Sequence, residues 1–112
     1  MFEAINKIKR KDVERVYNYV KNNNLYDKMI VYGGAIEENC TEDTELNIAL
    51  NMIDDKNAED NTIMNTMYQE ICAMVDSPVS VFVINDPDFA DSYEFHNAIS
   101  KGVVIYERQS KA

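Results

Sequence analysis

The chain contains little of what marks several specialised protein classes. Its 112 residues include no tryptophan, one histidine, two cysteines, two prolines and three glycines. So few glycines and prolines leave no room for a long flexible linker, and residues 1–112 are expected to form one domain. No apolar run approaches the roughly 20 residues that span a bilayer, and the opening stretch MFEAINKIKRKDVER lacks the apolar core of a signal peptide. We therefore predict a cytoplasmic protein that makes no membrane contact.

The cysteines and the histidine form no pattern that indicates a metal site or a catalytic site. Cys40 and Cys72 are isolated, with no CxxC pair, so they predict no zinc site, and a cytoplasmic setting disfavours a disulfide between them. We expect Cys72 to have a structural role in an apolar helix and His96 to pack on the core rather than act in catalysis. Of the seven tyrosines, Tyr32 and Tyr106 fit strands and are expected in the core.

Positive charge is scarce in the middle of the chain. Residues 29–100 contain fifteen Asp or Glu and a single lysine, within a whole-chain net charge of −9. Such a charge distribution repels nucleic acid and attracts basic surfaces. A basic cluster near the N-terminus, KIKRK, is too short to predict nucleic-acid binding. We therefore predict a protein partner with a basic surface and no nucleic acid; the alternative is that the acidic charge serves solubility alone.

Periodicity in the first half of the chain predicts one helix and two strands. The helix is expected to run from an N-cap at Asp12 to about Asn22, because its valines recur at helical spacing. The stretch KMIVYGG is typical of a buried strand that ends in a tight turn, and TELNIALNMI alternates with period two, which predicts a second strand. That alternation places four apolar residues on one face: Leu46, Ile48, Leu50 and Met52.

The second half of the chain contains two further helices and two further strands. A methionine-rich stripe predicts a core-facing helix from about Ala58 to Val75, and the β-branched run SPVSVFVIN predicts a third strand. Asp91 and Glu94 have capping-box spacing for a short helix, Gly102 stands where its C-cap is expected, and VVIYER makes a fourth strand. The order α-β-β-α-β-α-β predicts an α+β fold, a small mixed sheet of about four strands with helices packed on it.

The stretch VYGGAIEENCTEDTELNIAL (residues 31–50), this element order and the closing AISKGVVIYER together resemble the minimal nucleotidyltransferases of the DNA polymerase β superfamily. That family places Gly-Ser after an apolar strand, then a basic loop, then Asp-x-Asp in the next strand. Laid on this chain without gaps, Gly33 and Gly34 occupy the Gly-Ser place, and Glu45 and Asn47 occupy the two aspartate places. The resemblance extends over about residues 11–108 and implies the family's fold.

The residues that carry the family's chemistry are replaced. In the family, the two aspartates and a third carboxylate from a later strand hold two Mg²⁺ ions that bridge the triphosphate. Here Glu45 is one methylene longer than aspartate, Asn47 is neutral, and Ser80 or Phe82 stands where the third carboxylate is expected. Ala35 and Glu37 replace the family's arginines. The resemblance therefore implies a degenerate site: vestigial nucleotide-binding glycines Gly33 and Gly34, Glu45 as a lone metal ligand, and no confident catalytic residue.

Two functions follow from the resemblance. Small family members commonly occur beside a HEPN-type toxin and neutralise it, some by transferring AMP to it. The first hypothesis is an antitoxin-like protein that binds its partner without catalysis or cofactor, through an acidic loop (residues 37–45) whose candidate contact residues are Glu37, Glu38, Glu42 and Asp43. The second is an active enzyme that uses Mg²⁺ and ATP to transfer AMP to a protein, with Asp43 or Asp86 supplying a missing metal ligand. Pairing of a free sheet edge with a second copy is a further expectation.

Overall fold

The computed structural model describes residues 2–109 and confirms the α+β class. Three helices pack on a four-stranded sheet. In chain order the elements are α1 (Arg10–Lys21), β1 (Tyr26–Tyr32), β2 (Leu46–Met52), α2 (Asn61–Met74), β3 (Val79–Val83), α3 (Tyr93–Ser100) and β4 (Val103–Glu107). Short 3-10 turns at Gly33–Ile36, Asn57–Glu59 and Pro87–Phe89 lie between them. No helix within residues 2–109 combines the length and the hydrophobicity needed to cross a membrane.

The sheet has the strand order β3-β2-β1-β4. Strand β1 runs antiparallel to both β2 and β4, whereas β2 and β3 are parallel and are joined through α2, as a parallel pair requires a crossover. In the register, Tyr32 pairs with Asn47, which pairs with Ser80. The end of β1 and the starts of β2 and β3 therefore meet at one end of the sheet.

One face of the sheet forms the main core. The predicted alternation of β2 is confirmed, since Leu46, Ile48, Leu50 and Met52 are at most 1% exposed. Burying each such side chain stabilises the fold by about 1.5–3 kcal/mol. Against this face lie the valines of α1 and the methionine-rich stripe of α2, in which Met67 and Ile71 are buried and Met64, Met74 and Val75 are partly buried against the core.

The other face is covered by α3 over a smaller area. Its buried centre consists of Ile30, Tyr32, Ala49 and Ile99. The residue after the end of α3, Gly102, lies close to β1. A Cβ at this position would lie 2.8 Å from the Val31 carbonyl oxygen and 2.7 Å from Ile30 Cγ2. The expected core position of Tyr32 is confirmed at 9% exposure, and Tyr106 packs half-buried against the main core.

The helix caps differ from those predicted. Helix α1 begins at Arg10, and Asp12 lies inside its first turn, where its carboxylate caps a different segment, described below. Helix α2 is capped by Asp60, which accepts hydrogen bonds from the Thr62 and Ile63 amides, so residues 57–59 form a separate turn. Helix α3 is capped by Ser92 rather than by Asp91. Asp60 and Ser92 lie within two residues of the predicted positions, and periodicity does not distinguish such neighbours. The N-cap of α1 is Lys9, whose side chain makes no capping hydrogen bond.

The expected packing of Cys72 and of His96 is wrong. Cys72 and His96 are both exposed, whereas Cys40 is buried. Cys72 follows the buried Ile71 by one position, and one helical step of about 100° turns its side chain away from the sheet. His96 lies on the outer side of α3, with Nε2 3.0 Å from the Phe89 carbonyl oxygen.

Candidate functional site

The end of the sheet where β1 stops and β2 and β3 begin brings together the positions predicted from the resemblance. Gly33 and Gly34 follow β1, Glu45 immediately precedes β2, and Asn47 lies between Tyr32 on one side and Ser80 on the other. Because strand side chains alternate, Asn47 belongs to the same sheet face as Ala49, the face covered by α3. We treat this end of the sheet as the candidate site.

Gly33 lies in a turn that packs against the side chain of Asn47. Its φ is +75°, a left-handed conformation that glycine adopts without strain. A Cβ at this position would lie 2.7 Å from Asn47 Nδ2. The backbone of the turn and the side chain of Asn47 are therefore in direct contact, so the first glycine has a steric reason to be present that does not require a phosphate ligand.

Gly34 leaves no room for the serine of the family pattern. A Cβ here would overlap the Thr44 methyl group. Thr44 is held in place by a tight turn, since its hydroxyl accepts a hydrogen bond from the Thr41 amide at 2.9 Å and its own amide donates to the Thr41 carbonyl at 3.1 Å. The place of the serine side chain is thus taken by a threonine from the acidic loop.

Ala35 and Glu37, which stand where the family has arginines, lie in different surroundings. Ala35 is fully buried in the main core, and its carbonyl accepts a hydrogen bond from the Asn6 amide at 2.8 Å. An arginine at position 35 would bury its guanidinium group among apolar side chains, which is strongly unfavourable. Glu37 is exposed, and an arginine there meets no such obstacle.

The carboxylates needed for two metal ions are not assembled at this end of the sheet. Glu45 is exposed, and its neighbours at the other two metal-ligand places are the amide of Asn47 and the hydroxyl of Ser80. Asp86 follows the far end of β3, where its amide donates to the Val83 carbonyl at 3.1 Å; Val83 lies about 10 Å along the strand from Ser80. The carboxylate of Asp86 caps the 3-10 turn at Pro87–Phe89. Within residues 2–109, no group of three or more His, Cys, Asp or Glu is placed to hold a metal ion.

Tyr32 links the candidate site to the face beneath α3. Burial of its phenol, together with the negative charge of Glu45, raises the pKa of Tyr32 to about 12. Its ring meets that of Phe95 edge-on, with ring centroids 6.5 Å apart. The phenol therefore stays neutral at physiological pH, and it can act as a hydrogen-bond donor but not as a base.

A buried polar cluster that the sequence patterns did not reveal lies behind the candidate site; we call it the Lys9 network. Lys9 is 0% exposed, and its ammonium group donates to the Glu42 carbonyl oxygen and to Ser77 Oγ, both at 3.0 Å. The Ser77 hydroxyl donates to Asp12 at 2.6 Å, and the Ser77 and Asp76 amides also donate to the Asp12 carboxylate. The Lys9 network thus joins α1, the acidic loop and the segment before β3.

Asp12 carries a negative charge within this network. Burial opposes its ionisation, but the hydrogen bonds from the Ser77 side chain and from the Asp76 and Ser77 amides, with the nearby charge of Arg15, outweigh that effect and lower the pKa of Asp12. Arg15 lies 3.2 Å from the Asp12 carboxylate and 3.4 Å from that of Asp76. The Lys9 ammonium and the Asp12 carboxylate lie at opposite ends of one hydrogen-bond chain through Ser77, and their opposite charges compensate each other inside the protein.

The acidic loop presents its charges to solvent. Glu37, Glu38, Glu42 and Asp43 are all exposed, and none of them forms an ion pair with another residue of the described range 2–109. The loop backbone is anchored at Glu42 by Lys9 and at Glu37 by Asn6, whose Nδ2 donates to the Glu37 carbonyl at 2.9 Å. The loop is therefore an ordered, negatively charged surface.

An open groove of about 950 Å³ lies at the opposite end of the sheet. Its lining includes three isoleucines, Ile30, Ile84 and Ile99. Two of its four ionic residues form a pair, with Lys28 Nζ 3.4 Å from Glu107, and Asp27 accepts a hydrogen bond from the Asn51 side-chain amide at 2.8 Å. The groove is separate from the candidate site.

No protein-family model matches this chain, and a search of curated proteins found no match either.

Proposed function

We propose that this chain is a catalytically degenerate nucleotidyltransferase-fold protein that acts by binding a partner protein with a basic surface, in an antitoxin-like role. The observation that carries the proposal is the set of side chains at the three neighbouring places where the resemblance implies metal-binding carboxylates. Those places hold Glu45, Asn47 and Ser80, of which one is acidic. Two Mg²⁺ ions require several oxygen ligands of negative charge in a fixed geometry, so this arrangement argues against phosphoryl transfer.

The phosphate side of the site supports the same proposal. The turn after β1 offers backbone amides, but Thr44 fills the place beside Gly34, and Glu37 and Glu38 bring negative charge where a triphosphate needs positive charge. Removing one element of transition-state charge stabilisation costs about 3–4 kcal/mol, and each 1.4 kcal/mol is roughly a tenfold loss of rate. Loss of two carboxylates and both arginines therefore leaves no useful rate.

The protein-binding half of the proposal is supported by the acidic loop. Its four candidate contact residues are exposed on a backbone that the Lys9 network holds in place, so little ordering is needed when a partner binds. A HEPN-type toxin is the partner class that the resemblance implies. A cytoplasmic location belongs to the same proposal and agrees with two free thiols at Cys40 and Cys72.

Calorimetric titration of ATP with Mg²⁺ into the purified protein tests the loss of catalysis. We expect no binding heat for the natural protein. We expect binding to appear in the double variant Asn47→Asp, Ser80→Asp, which restores two carboxylates beside Glu45. The matched control is Asn61→Asp, Asn65→Asp, which adds the same two negative charges at exposed positions near the start of α2 and should not bind.

Micromolar Mg²⁺-dependent binding of ATP by the natural protein would overturn this proposal. It would favour the second hypothesis, an active transferase of AMP, and incubation with labelled ATP and a candidate toxin would then reveal the acceptor. Absence of binding in both the natural protein and the double variant would show that the turn after β1 is not a nucleotide site in this fold.

A further inference from the structure

The segment around the start of α3 differs from the acidic loop in carrying exposed aromatic groups among its acids. We call residues 86–95 the α3 patch. Tyr93 is 79% exposed, the highest exposure of any large apolar side chain among residues 2–109. Phe89 and Phe95 are half-buried beside it in the chain. A solvent-facing tyrosine, with two partly exposed phenylalanines nearby in the chain, has the composition expected at the centre of a protein interface.

Two of the three aromatic rings of the α3 patch, those of Phe89 and Phe95, are held by contacts with each other and with β3. Phe89 and Phe95 lie with ring centroids 4.9 Å apart, and both contact Phe82 of β3, at 5.5 and 5.8 Å. The backbone is fixed by two caps: Asp86 accepts from the Asp88 amide at 2.9 Å, and Ser92 accepts from the Phe95 amide at 3.3 Å. A rigid surface loses little conformational entropy when it binds.

The α3 patch is also strongly acidic. It contains Asp86, Asp88, Asp91 and Glu94, and none of these forms an ion pair within the part of the chain that the structure describes. The last three are exposed, and the patch contains no lysine or arginine. Its charge is therefore complementary to a basic segment, and a second copy of the patch itself would be repelled.

Arginine fits this combination of groups better than lysine does. A guanidinium group stacks on an aromatic ring and donates two parallel hydrogen bonds to one carboxylate, whereas an ammonium group is a compact, strongly hydrated charge. Tyr93 offers the exposed ring, and Asp91 and Glu94, two residues before it and one after it, offer carboxylates. The acidic loop has five exposed carboxylates but no aromatic residue between Glu37 and Glu45.

We propose that the α3 patch is a docking surface for an arginine-bearing segment of a partner protein, with Tyr93 as its central contact. This inference rests on the proposed function, since it supposes that the chain acts by binding a protein. It goes further by placing the apolar centre of the interface at α3 and by assigning the acidic loop an outer, charge-steering role.

Titration of the ¹⁵N-labelled protein with octa-arginine and octa-lysine peptides at low ionic strength tests the inference. We expect octa-arginine to cause the largest amide shifts within residues 86–95 and to bind more tightly than octa-lysine, by about threefold, as exposed cation–π contacts provide. Tyr93→Ser should abolish that preference, and Tyr93→Phe should keep it. Tyr68→Ser, which alters another exposed tyrosine, should leave it unchanged.

Two double variants separate a specific surface from general charge. Asp88→Asn, Asp91→Asn and Glu37→Gln, Glu38→Gln each remove two exposed negative charges, so the net charge changes equally. We expect the first pair to weaken octa-arginine binding by about tenfold and the second by about twofold, because only the first lies beside the aromatic rings.

Three results would overturn the inference: the largest shifts within residues 37–45, equal losses from the two double variants, or shifts in the α3 patch that grow with protein concentration before any peptide is added. The last would show that a second copy occupies the patch. None of these results depends on ATP or Mg²⁺, so failure here is distinct from failure of the nucleotide titration.

Discussion

The two faces of the sheet are covered to very different extents. Helices α1 and α2 close one face so completely that its strand residues from Leu46 to Met52 on that side are at most 1% exposed. Helix α3 closes the other face in part, and it leaves an open groove at one end of the strands and the candidate site at the other. On β2 and β3 the first face is apolar, whereas Asn47, Asn51 and Ser80 interrupt the second.

The two faces of the sheet therefore contribute differently to folding stability and to the proposed binding of a partner. Removal of apolar surface from water is the main favourable term in folding, so the fully closed face contributes most of the stability. The partly closed face contributes less, and it is the face whose helix presents exposed aromatic and acidic side chains. The Lys9 network lies at the margin of the closed face and holds the acidic loop, so it connects the stable half of the molecule to the surface that we propose to bind a partner.

The largest expected effect is on the closed face. Leu50→Ala should lower the free energy of unfolding by about 3 kcal/mol, because a fully buried leucine leaves a cavity when truncated. The matched change on the other face, Ile84→Ala, should cost about 1 kcal/mol because that side chain is half-buried. Urea unfolding followed by circular dichroism measures both. Equal losses would mean that the α3 face contributes as much to stability as the closed face.

The next effect concerns the Lys9 network. Asp12→Ala should destabilise the fold at pH 7 by about 3 kcal/mol, because it leaves the buried ammonium of Lys9 and two backbone amides without their anion. Glu14→Ala, an exposed position on the same helix, should change stability by less than about 0.5 kcal/mol.

The same variant has a characteristic dependence on pH. The pKa of Asp12 is lowered in the folded protein, so its contribution is fully present above the unfolded pKa of about 3.9 and is lost as pH falls through the folded pKa. The stability difference between natural protein and Asp12→Ala should therefore stay constant from about pH 7 to 5 and shrink below about pH 4. A difference that stays constant into that acid range would contradict a charged Asp12.

The smallest effect probes the candidate site itself. Glu45→Gln should lower the pKa of Tyr32 by a few tenths of a unit, since burial is the larger cause of its rise to about 12 and the charge of Glu45 the smaller. Carbon-13 NMR of the labelled tyrosine Cζ atoms measures this value. Because the folded pKa exceeds the unfolded pKa of about 10, Tyr32 contributes stability below pH 10 that is lost as pH rises toward 12. An unchanged pKa would mean that Glu45 points away from the phenol.

The strands and their faces were predictable because they depend on local alternation. Leu46, Ile48, Leu50 and Met52 lie on the buried face as the period of two requires, and the methionine-rich stripe of α2 packs on the core as its helical spacing requires. The resemblance, rather than the periodicity, implied that the glycine turn and Asn47 lie together. Hydrophobic periodicity is a property of neighbouring residues and is therefore visible in one dimension.

The partners of polar groups were not predictable in this way. Asp12 suited an N-cap by its residue type, yet its carboxylate binds Ser77, 65 positions away along the chain. Ser92 rather than Asp91 caps α3, and Cys72 faces solvent although its neighbours in the chain are apolar. Hydrogen bonds require particular distances between atoms, and no periodic pattern encodes a distance between distant segments.

Composition and periodicity depend on the residues alone, so they were enough to predict the class of fold, the acidic character of the chain and the types of residue at the candidate site. The three-dimensional structure was needed to show that Thr44 fills the space beside Gly34, that Ser80 lies next to Asn47, and that Lys9 is a buried anchor of the acidic loop. Each of these depends on long-range packing, in which the identity of a neighbour is set by the path of the whole chain rather than by the residues on either side.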